Sequence, residues 1–489
     1  MKYQYRFDNV NFNQQEFLNY VNNDNKLNKL RNNLISLMTT DKGIYKHVIY
    51  ASSTKCAKII CGLLQCLGLF SAYNSQHNLQ ITPGYKFFAY LTINNVYGKP
   101  VSKSLVKSIK TVFNKRPDNV FGHKIMFIVI DQYFKEGIDL FDVKYMHLFS
   151  KIIYENEENQ IIGRIRRTCG HIGLPDGTKQ IIFSYYPESL KSEDNFSNEL
   201  KKICYYASID CFKSQDIYDL LFGKYVKTLK NNFNIDEYSS SSQVSDFREQ
   251  MSQSYSKLFK ETVDCYSGFK LTPTQKMIKQ YFTPNINTKG LLCWHPVGSG
   301  KTCLGLGVAS NFVLKNYQVI WVSRNSLLRD IEKNREMCYG LQNNKLLLPV
   351  SYKTFTNLLQ NKNKYARDNL DKTLIIIDEA HKLFDGSLSK LEMPDLNVLR
   401  KAIKSKTCKI LLMTATPFIS DPMQLIKLLN LIVDVPMPEN FQEFKLKYLE
   451  NEIKFSYKGG IEFIENIHKH ISVSSDKSKY AIQVKNEIK

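Results

Sequence analysis

The chain has 489 residues, and its 67 Lys and Arg against 46 Asp and Glu give a formal net charge of +21 at pH 7. With 43% hydrophobic and 12% aromatic residues, the composition excludes a disordered or collagen-like chain and suffices for two or three globular domains. The positive charge favours a polyanionic partner. Because no basic amphipathic anchor is apparent, we expect nucleic acid and not an acidic membrane surface.

The sequence has none of the features that send a chain into or across a membrane. No run approaches the ~18 apolar residues of a membrane span; the best candidate, Cys61–Phe70, is interrupted by Gln65. The N-terminus, MKYQYR, lacks the apolar core of a secretory signal. The 11 cysteines form no C-x-x-C pair, which predicts buried thiols in a reducing compartment. We therefore expect an intracellular protein that is not secreted.

Short apolar runs alternate with longer segments of helical character along the whole chain, which is typical of parallel sheets covered by helices. In the N-terminal half the predicted strands are His47–Tyr50, Ile125–Ile130, Tyr145–Phe149 and Gln180–Tyr185. In the C-terminal half they are Leu291–Trp294, Val319–Val322, Leu346–Val350, Thr373–Ile377 and Lys409–Met413. The predicted fold class is α/β, with two lobes. Residues 231–262, rich in Ser and Asn, are the predicted linker between them.

A phosphate-binding pattern follows the first strand of the C-terminal half. The strand Leu291–Trp294 runs into the sequence HPVGSGKT at residues 295–302, and a helix-like segment comes next. This is the strand, glycine loop, Lys-Thr and helix of a P-loop. Backbone N–H groups of such a loop close around a β-phosphate at the helix N-terminus. The loop residues expected around the nucleotide are Gly298, Ser299 and Gly300.

Two further residues of this loop have expected roles, and a third departs from the usual pattern. Lys301 is expected to pair with β- and γ-phosphate oxygens, and the hydroxyl of Thr302 to ligate Mg²⁺. His295 replaces the first glycine of the usual pattern, and histidine tolerates a positive φ better than most residues. A glycine turn before an ordinary helix is the alternative. ATP and Mg²⁺ are the predicted cofactors.

Two adjacent acids, Asp378 and Glu379, stand at the end of the predicted strand Thr373–Ile377. Asp378 is expected to hold Mg²⁺ through its carboxylate, and Glu379 to orient and deprotonate the attacking water. Adjacent acids after a strand also cap helices, but the upstream P-loop favours the catalytic interpretation.

The sequence DEAH at residues 378–381, together with TAT at residues 414–416, resembles motifs II and III of superfamily 2 helicases. The resemblance implies that Thr414, Ala415 and Thr416 couple hydrolysis to movement and that Gln275 reads adenine. It implies nucleic-acid backbone contacts for Ser323, Arg324, Asn325 and Ser351. The P-loop form looks most like helicases of large cytoplasmic DNA viruses. The nearest groups are the poxvirus-type nucleoside triphosphate phosphohydrolase I and the small subunit of the viral early transcription factor.

The motifs of a second helicase lobe stand upstream of the first. The sequence QIIGRIRR at residues 160–167 resembles motif VI, EGIDL at 136–140 resembles motif V, and KHVIYAS at 46–52 resembles motif IV. The resemblance implies that Arg164 and Arg167 act on the γ-phosphate, and that Gln160 and Gly137 lie beside the nucleotide. A solvated basic face is the alternative for Arg164–Arg167 in motif VI, and a plain turn is the alternative for Glu136 and Gly137 in motif V. The shared order of the three motifs favours the helicase interpretation.

The resemblance therefore implies two RecA-like lobes in swapped order. The predicted domains are a second lobe at 1–190, its helical tail at 191–230, a linker at 231–262, the ATP-binding first lobe at 263–435 and an inter-lobe extension at 436–489. Three explanations of this order stay open. The chain is a circular permutant, a piece of a longer or split protein, or a rearranged product without ATPase activity.

The function implied by the resemblance is a nucleic-acid-dependent ATPase or helicase that translocates on or remodels DNA or RNA in viral transcription. Viral RNA polymerase or transcription-factor subunits are then further expected partners, and the viral factory in the host cytoplasm or the virion is the expected location. The alternative is a non-catalytic nucleic-acid-binding or scaffold subunit. The joint presence of Lys301, Thr302, Asp378, Glu379 and the two arginines favours the enzyme.

Overall fold

The protein is described from a computed structural model, and the chain divides into two compact units. The described residues are 6–9, 11–41, 44–134, 138–152, 155–167, 169–186, 195–210, 242–260, 271–325, 327–337, 346–360, 370–403, 407–474 and 482–486. Unit 1 comprises Met1–Ser192 and Lys477–Lys489, and unit 2 comprises Glu193–Asp476. The last stretch of the chain thus returns to the unit in which the chain begins.

Unit 1 contains a parallel sheet and a small hairpin. Its strands are β1 (Lys46–Tyr50), β2 (Phe70–Ser71), β3 (Phe87–Leu91), β4 (Asn95–Val96), β5 (Lys99–Pro100), β6 (Phe127–Ile130), β7 (Val143–Leu148), β8 (Gln180–Ser184) and β15 (Ile482–Asn486). Its helices are α1 (Gln14–Asn23), α2 (Asn25–Thr40), α3 (Thr54–Cys66), α4 (Lys103–Asn114) and α5 (Glu155–Ile162). Seven strands form the sheet, in the order β15-β8-β7-β1-β6-β3-β2.

The edge of the unit 1 sheet is formed by the end of the chain. Strand β15 pairs in parallel with β8, with Ile482 opposite Gln180 and Asn486 opposite Ser184. The predicted inter-lobe extension, residues 436–489, is therefore divided between the two units. The apolar pattern of one sequence does not predict the pairing of β15 with β8, because tertiary contacts and not the periodicity of a strand decide which strand it pairs with.

Unit 2 contains a second parallel sheet. Its strands are β9 (Gly290–Trp294), β10 (Gln318–Ser323), β11 (Leu347–Ser351), β12 (Thr373–Asp378), β13 (Lys409–Thr414) and β14 (Ile471–Val473). Its helices are α6 (Asn195–Ala207), α7 (Ser242–Tyr255), α8 (Pro273–Tyr281), α9 (Lys301–Val313), α10 (Leu328–Met337), α11 (Tyr352–Gln360), α12 (Leu396–Ala402), α13 (Met423–Leu429), α14 (Phe441–Tyr448) and α15 (Tyr457–Ile467). The strand order is β11-β10-β12-β13-β9-β14.

The sheet of unit 2 is buried on both faces. Along β10, Val319 and Trp321 belong to one apolar core, and Ile320 and Val322 belong to the other. This alternation follows from the two-residue period of a strand and explains why its sequence is apolar throughout. Two parallel sheets covered by helices confirm the predicted α/β class. Among the described residues, no helix combines the length and the apolar character that crossing a membrane would require.

The helix after the N-terminal lobe packs differently from the prediction. Residues 191–230 are predicted as a tail of the second lobe, but the described helix in this range, α6, belongs to unit 2. Phe196 on α6 is 4% exposed, and its ring contacts those of Phe441, Phe444 and Phe455 at centroid distances of 5.4, 5.9 and 6.4 Å. Burial of this apolar face decides the assignment.

Two other predictions also need correction. The predicted linker at 231–262 includes helix α7, because Val244 and Met251 bury apolar side chains in unit 2; residues 231–241 lie outside the described residues. Seven described cysteines are free thiols, but Cys169 is disulfide-bonded. The thiol prediction is wrong there because sequence spacing does not show which cysteines the fold brings together.

The packing of α6 can be measured because both tryptophans of the chain, Trp294 and Trp321, lie in unit 2. Phe196→Ala should lower the free energy of unfolding of unit 2 by ~3–5 kcal/mol, since it removes a buried aromatic ring. Urea unfolding followed by tryptophan fluorescence measures this. The control is Tyr205→Ala on the same helix, where the side chain is 37% exposed; its effect should stay within ~0.5 kcal/mol. Equal curves for Phe196→Ala and the unchanged chain would contradict the assignment.

Candidate active site

The P-loop joins β9 to α9 through a turn that requires glycine. Gly298 has φ 87° and Gly300 has φ 77°, both in the left-handed region. A Cβ on Gly300 would lie 2.6 Å from Nε2 of Gln275, so a side chain there would displace that amide in addition to straining the positive φ. His295 is not among the residues with positive φ. The loop therefore accommodates His295 without a positive φ at that residue, because the two later glycines make the turn.

The first turn of α9 is open to an anion. Its N-cap residue is Gly300, which offers no side chain to cap the N–H groups. The Nζ of Lys301 donates to the carbonyl oxygens of His295 at 3.1 Å and Pro296 at 3.2 Å, so the ammonium lies over the loop. The Ser299 hydroxyl oxygen is buried with no hydrogen-bond partner among the described residues. Uncapped N–H groups beside a lysine fit a nucleotide phosphate.

Gln275 supports the P-loop from helix α8. Helix α8 begins at Pro273 with a capping box, in which the Thr272 N–H donates to Gln275 Oε1 at 2.9 Å. The Nε2 of Gln275 donates to the carbonyl oxygens of Ser299 at 2.9 Å and Gly300 at 3.1 Å. Both ends of the amide are therefore occupied by the protein itself. Adenine reading by Gln275 stays a prediction, and these bonds support a second role in fixing the loop.

Asp378 and Glu379 lie at the carboxyl end of β12. Asp378 is 7% exposed, and its Oδ1 accepts a hydrogen bond from the Glu379 N–H at 3.1 Å. Burial first, and then the Glu379 carboxylate, raise the pKa of Asp378 to about 7, while the Lys301 ammonium acts against the rise. The strands that carry the P-loop and the acid pair, β9 and β12, pair in parallel with the two sides of β13, so both groups lie at the same edge of the sheet. Glu379 itself has φ 52°, a strained value for a residue with a side chain.

The acid pair is linked to the strand that carries TAT. His381 Nδ1 lies 2.8 Å from Thr414 Oγ1, and the Thr416 N–H donates to the same Thr414 oxygen at 3.1 Å. The carbonyl oxygen of Ala415 accepts a hydrogen bond from Trp294 Nε1 at 3.1 Å. The structure thus connects the predicted coupling residues both to DEAH and to the strand that precedes the P-loop.

The predicted nucleic-acid residues lie at the same edge of the sheet. Ser323 and Ser351 are register partners at the ends of β10 and β11. Both are buried, and the Ser351 hydroxyl accepts from the Thr354 N–H at 3.1 Å, which fits the start of α11. Arg324 and Asn325 follow directly after β10. The structure brings these four residues together.

In unit 1 the predicted motif V and motif VI residues are in contact. The Leu140 N–H donates to the Arg164 carbonyl oxygen at 3.0 Å. Arg167 forms an ion pair with Asp139 and donates to the Ile138 carbonyl oxygen at 3.2 Å. Arg164 and Gln160 are both 6% exposed. Gly137 lies outside the described residues.

Tyr352 is a site residue that the sequence reasoning missed. Its single hydroxyl proton is shared between the carbonyl oxygens of Asp378 and Glu379, the latter at 3.0 Å. It therefore holds the backbone of the acid pair in place from helix α11. The sequence signal for Tyr352 is its position directly after Ser351. This position indicates the end of a strand, but it does not indicate which residues Tyr352 contacts.

The donor set also fits Mg²⁺. Among the described residues, no three His, Cys, Asp or Glu side chains cluster as a metal cage. Mg²⁺ in nucleotide sites is held by one or two protein oxygens together with phosphates and water. The Thr302 hydroxyl at the start of α9 and the Asp378 carboxylate supply oxygens of that kind.

Comparison with known proteins agrees with this geometry. Residues 268–419 match the family model of the type III restriction enzyme res subunit, and this range contains the P-loop, DEAH and TAT. A protein of Acanthamoeba polyphaga mimivirus named as an ATP-dependent RNA helicase is 26% identical over 248 residues, which are 41% of this chain and 42% of the relative. Over these ranges the chain is similar to helicases of large DNA viruses.

Two further relatives extend this result. A helicase of the Kluyveromyces lactis killer plasmid pGKL-2 is 26% identical over 198 residues, covering 39% of this chain and 32% of the relative. A homologue of termination factor NPH-I from African swine fever virus is 25% identical over 182 residues, which are 33% of this chain and 25% of the relative. The chain spans less than half the length of each relative. These matches agree with the predicted enzyme class and with ATP as cofactor.

The two roles of Gln275 can be separated by nucleotide competition. Gln275→Ala should weaken the binding of ATP and GTP by the same factor, about tenfold, because it removes bonds to the P-loop backbone. Displacement of a fluorescent nucleotide measures both affinities. The matched control is Gln253→Ala, an amide whose Nε2 bonds to Glu249 on helix α7. Selective loss of ATP binding, with GTP unchanged, would show that Gln275 acts by reading adenine.

Proposed function

We propose that this chain is a nucleic-acid-dependent ATPase that moves on or remodels nucleic acid. The observation that carries the proposal is the joint placement of Lys301, Asp378 and Glu379 at one edge of the unit 2 sheet, where the parallel strands β9 and β12 end on the two sides of β13. Ligands of open parallel sheets bind at this carboxyl edge. ATP would supply the phosphoryl group that is transferred to water.

The residues of unit 2 have separate roles in this proposal. The open first turn of α9 and the Lys301 ammonium bind the β- and γ-phosphates, and the positive charge stabilises the transferring group. Thr302 and Asp378 would hold Mg²⁺. Glu379 orients the attacking water and accepts its proton. Tyr352 keeps the Asp378 and Glu379 backbone fixed, since its hydroxyl bonds to both carbonyl oxygens.

Unit 1 is proposed to contribute the arginines. The match of Gln160, Arg164 and Arg167 to motif VI supports a role on the γ-phosphate, where an arginine finger contributes ~10³ or more to the rate. The ion pair of Arg167 with Asp139 supports a joint role of motifs V and VI. This part of the proposal rests on the motifs. The strand β15, which completes the unit 1 sheet after unit 2, supports a rearranged chain that keeps both lobes in swapped order.

Nucleic acid is proposed to bind along the loops after β10 and β11. The register pairing of Ser323 with Ser351, with Arg324 and Asn325 beside them, supports backbone contacts at this edge. The net charge of +21 favours binding through phosphates, so affinity should fall steeply with salt and depend little on sequence. The relatives' names include an RNA helicase and a homologue of termination factor NPH-I. We therefore propose a role in viral transcription, beside polymerase or transcription-factor subunits in the viral factory or virion.

The role of Glu379 gives the test. Glu379→Gln should leave ATP affinity within about twofold and lower the turnover number by ~10²–10⁴, because it removes only the general base. A phosphate-release assay with single-stranded DNA or RNA measures turnover, and fluorescent-nucleotide binding measures affinity. The control is Glu465→Gln, an exposed acid on α15. Full turnover in Glu379→Gln would refute the assignment of the base.

A further inference from the structure

A short segment after helix α6 lies along strand β14 of unit 2. The Ile209 N–H donates to the Ile471 carbonyl oxygen at 2.9 Å, and the Val473 N–H donates to Ser208 Oγ at 2.8 Å. The Asp210 N–H donates to the same Ser208 oxygen at 3.2 Å. These bonds place the Asp210 carboxylate against the middle residue of β14.

That middle residue, Ser472, connects Asp210 to the P-loop. Ser472 is 0% exposed, and its Oγ lies 2.9 and 3.0 Å from the two carboxylate oxygens of Asp210. The same Oγ lies 2.8 Å from Nε2 of His295. A hydroxyl has one proton, so when Asp210 is ionised the hydroxyl donates to the carboxylate and accepts from the imidazole Nε2–H. The result is a buried chain of hydrogen bonds from Asp210 through Ser472 to His295.

The chain of bonds is not a hydrolytic triad. In a triad the histidine stands between the serine and the acid and removes the serine proton. Here the serine stands in the middle and its proton points to the carboxylate, so its oxygen is not activated. Burial lowers the pKa of His295 to about 3, which keeps the imidazole neutral at pH 7. Burial raises the pKa of Asp210 to about 7, and the Ser472 hydroxyl bond acts against this rise.

His295 is the first residue of the P-loop and is fixed from several sides. Its N–H donates to the Thr414 carbonyl oxygen at 3.0 Å, and its own carbonyl oxygen accepts from Lys301 Nζ at 3.1 Å. With its ring bonded to Ser472, the residue is 2% exposed. A larger residue in place of the usual glycine thus acts as an anchor between β14 and the phosphate loop.

We infer that Asp210 and Ser472 are positioning residues, which hold the start of the P-loop through His295 and thereby set the affinity for the phosphates of the nucleotide. The inference rests on the proposed ATP site. It makes nucleotide affinity depend on a segment, Ser208–Asp210, that is 85 or more residues away from the P-loop in sequence. Loss of this anchor loosens the loop without removing any group that touches the reacting phosphate.

The experiment uses the full chain with Ser472→Ala and Asp210→Ala. Hydrogen–deuterium exchange of a peptide containing residues 295–300 reports the loop directly, without nucleotide. Exchange should rise about tenfold in both variants, because Ser472→Ala removes the partner of the buried imidazole and Asp210→Ala removes the carboxylate that orients that partner's hydroxyl. Asp210→Asn, whose amide oxygen accepts the same bond, should stay near the unchanged chain. The matched control is Ser310→Ala, a buried serine whose hydroxyl bonds within α9 to the Gly307 carbonyl oxygen.

Nucleotide binding supplies the second measurement. The Kd for ATP should rise about tenfold in Ser472→Ala and Asp210→Ala, while turnover at saturating ATP changes by less than about threefold. Unchanged exchange in residues 295–300 for Asp210→Ala overturns the inference even if Ser472→Ala disturbs folding. Faster exchange confined to the loop supports it. If exchange changes but the unchanged chain binds no nucleotide, the positioning role stands and the proposed ATPase function fails.

Discussion

The closed turn of the P-loop is the constraint on which the rest of unit 2 depends. A loop that must direct backbone N–H groups at a phosphate cannot fill its own interior with side chains, so its shape has to be held from outside. Helix α8 does this through the Gln275 amide, β13 through the Thr414 carbonyl oxygen, and β14 through Ser472. Lys301 supports the loop from within, because its ammonium donates to the His295 and Pro296 carbonyl oxygens.

The parallel sheet makes this convergence possible. Strands β9, β12 and β13 are neighbours or near neighbours and end at the same edge, so the P-loop, the acid pair and the TAT residues meet there without long side chains. His381 and Thr414 connect two of these strand ends directly. A change at one strand end therefore reaches the others through one or two hydrogen bonds, which suits a site in which hydrolysis is coupled to movement.

Local sequence patterns predicted the strands and turns that a single continuous segment of the chain forms by itself. The apolar strand before the P-loop, the two turn glycines and the strand before Asp378 are of this kind. Strand β3, Phe87–Leu91, was not predicted although it is fully buried, because a short apolar run gives no periodicity that separates strand from helix.

Contacts between segments that are far apart in the sequence were not predicted, because local patterns do not show which distant residues meet. The bond of Ser472 to Asp210 spans 262 residues, and its contact with His295 spans 177. Nothing in the neighbouring residues of Asp210 indicates a partner in the nucleotide lobe. The same reason explains why α6 packs in unit 2 and why β15 completes the sheet of unit 1. Tertiary packing decides both, and a single sequence does not display it.

The central claim is that the residues around the P-loop bind and hydrolyse ATP under the control of nucleic acid. The most direct measurement is the rate of phosphate release from ATP and Mg²⁺ by the purified 489-residue chain, with and without single-stranded DNA or RNA. The account predicts hydrolysis that rises when nucleic acid is added and falls as salt weakens nucleic-acid binding. Nucleic-acid binding without any ATP hydrolysis would contradict it and would favour a scaffold with a helicase fold.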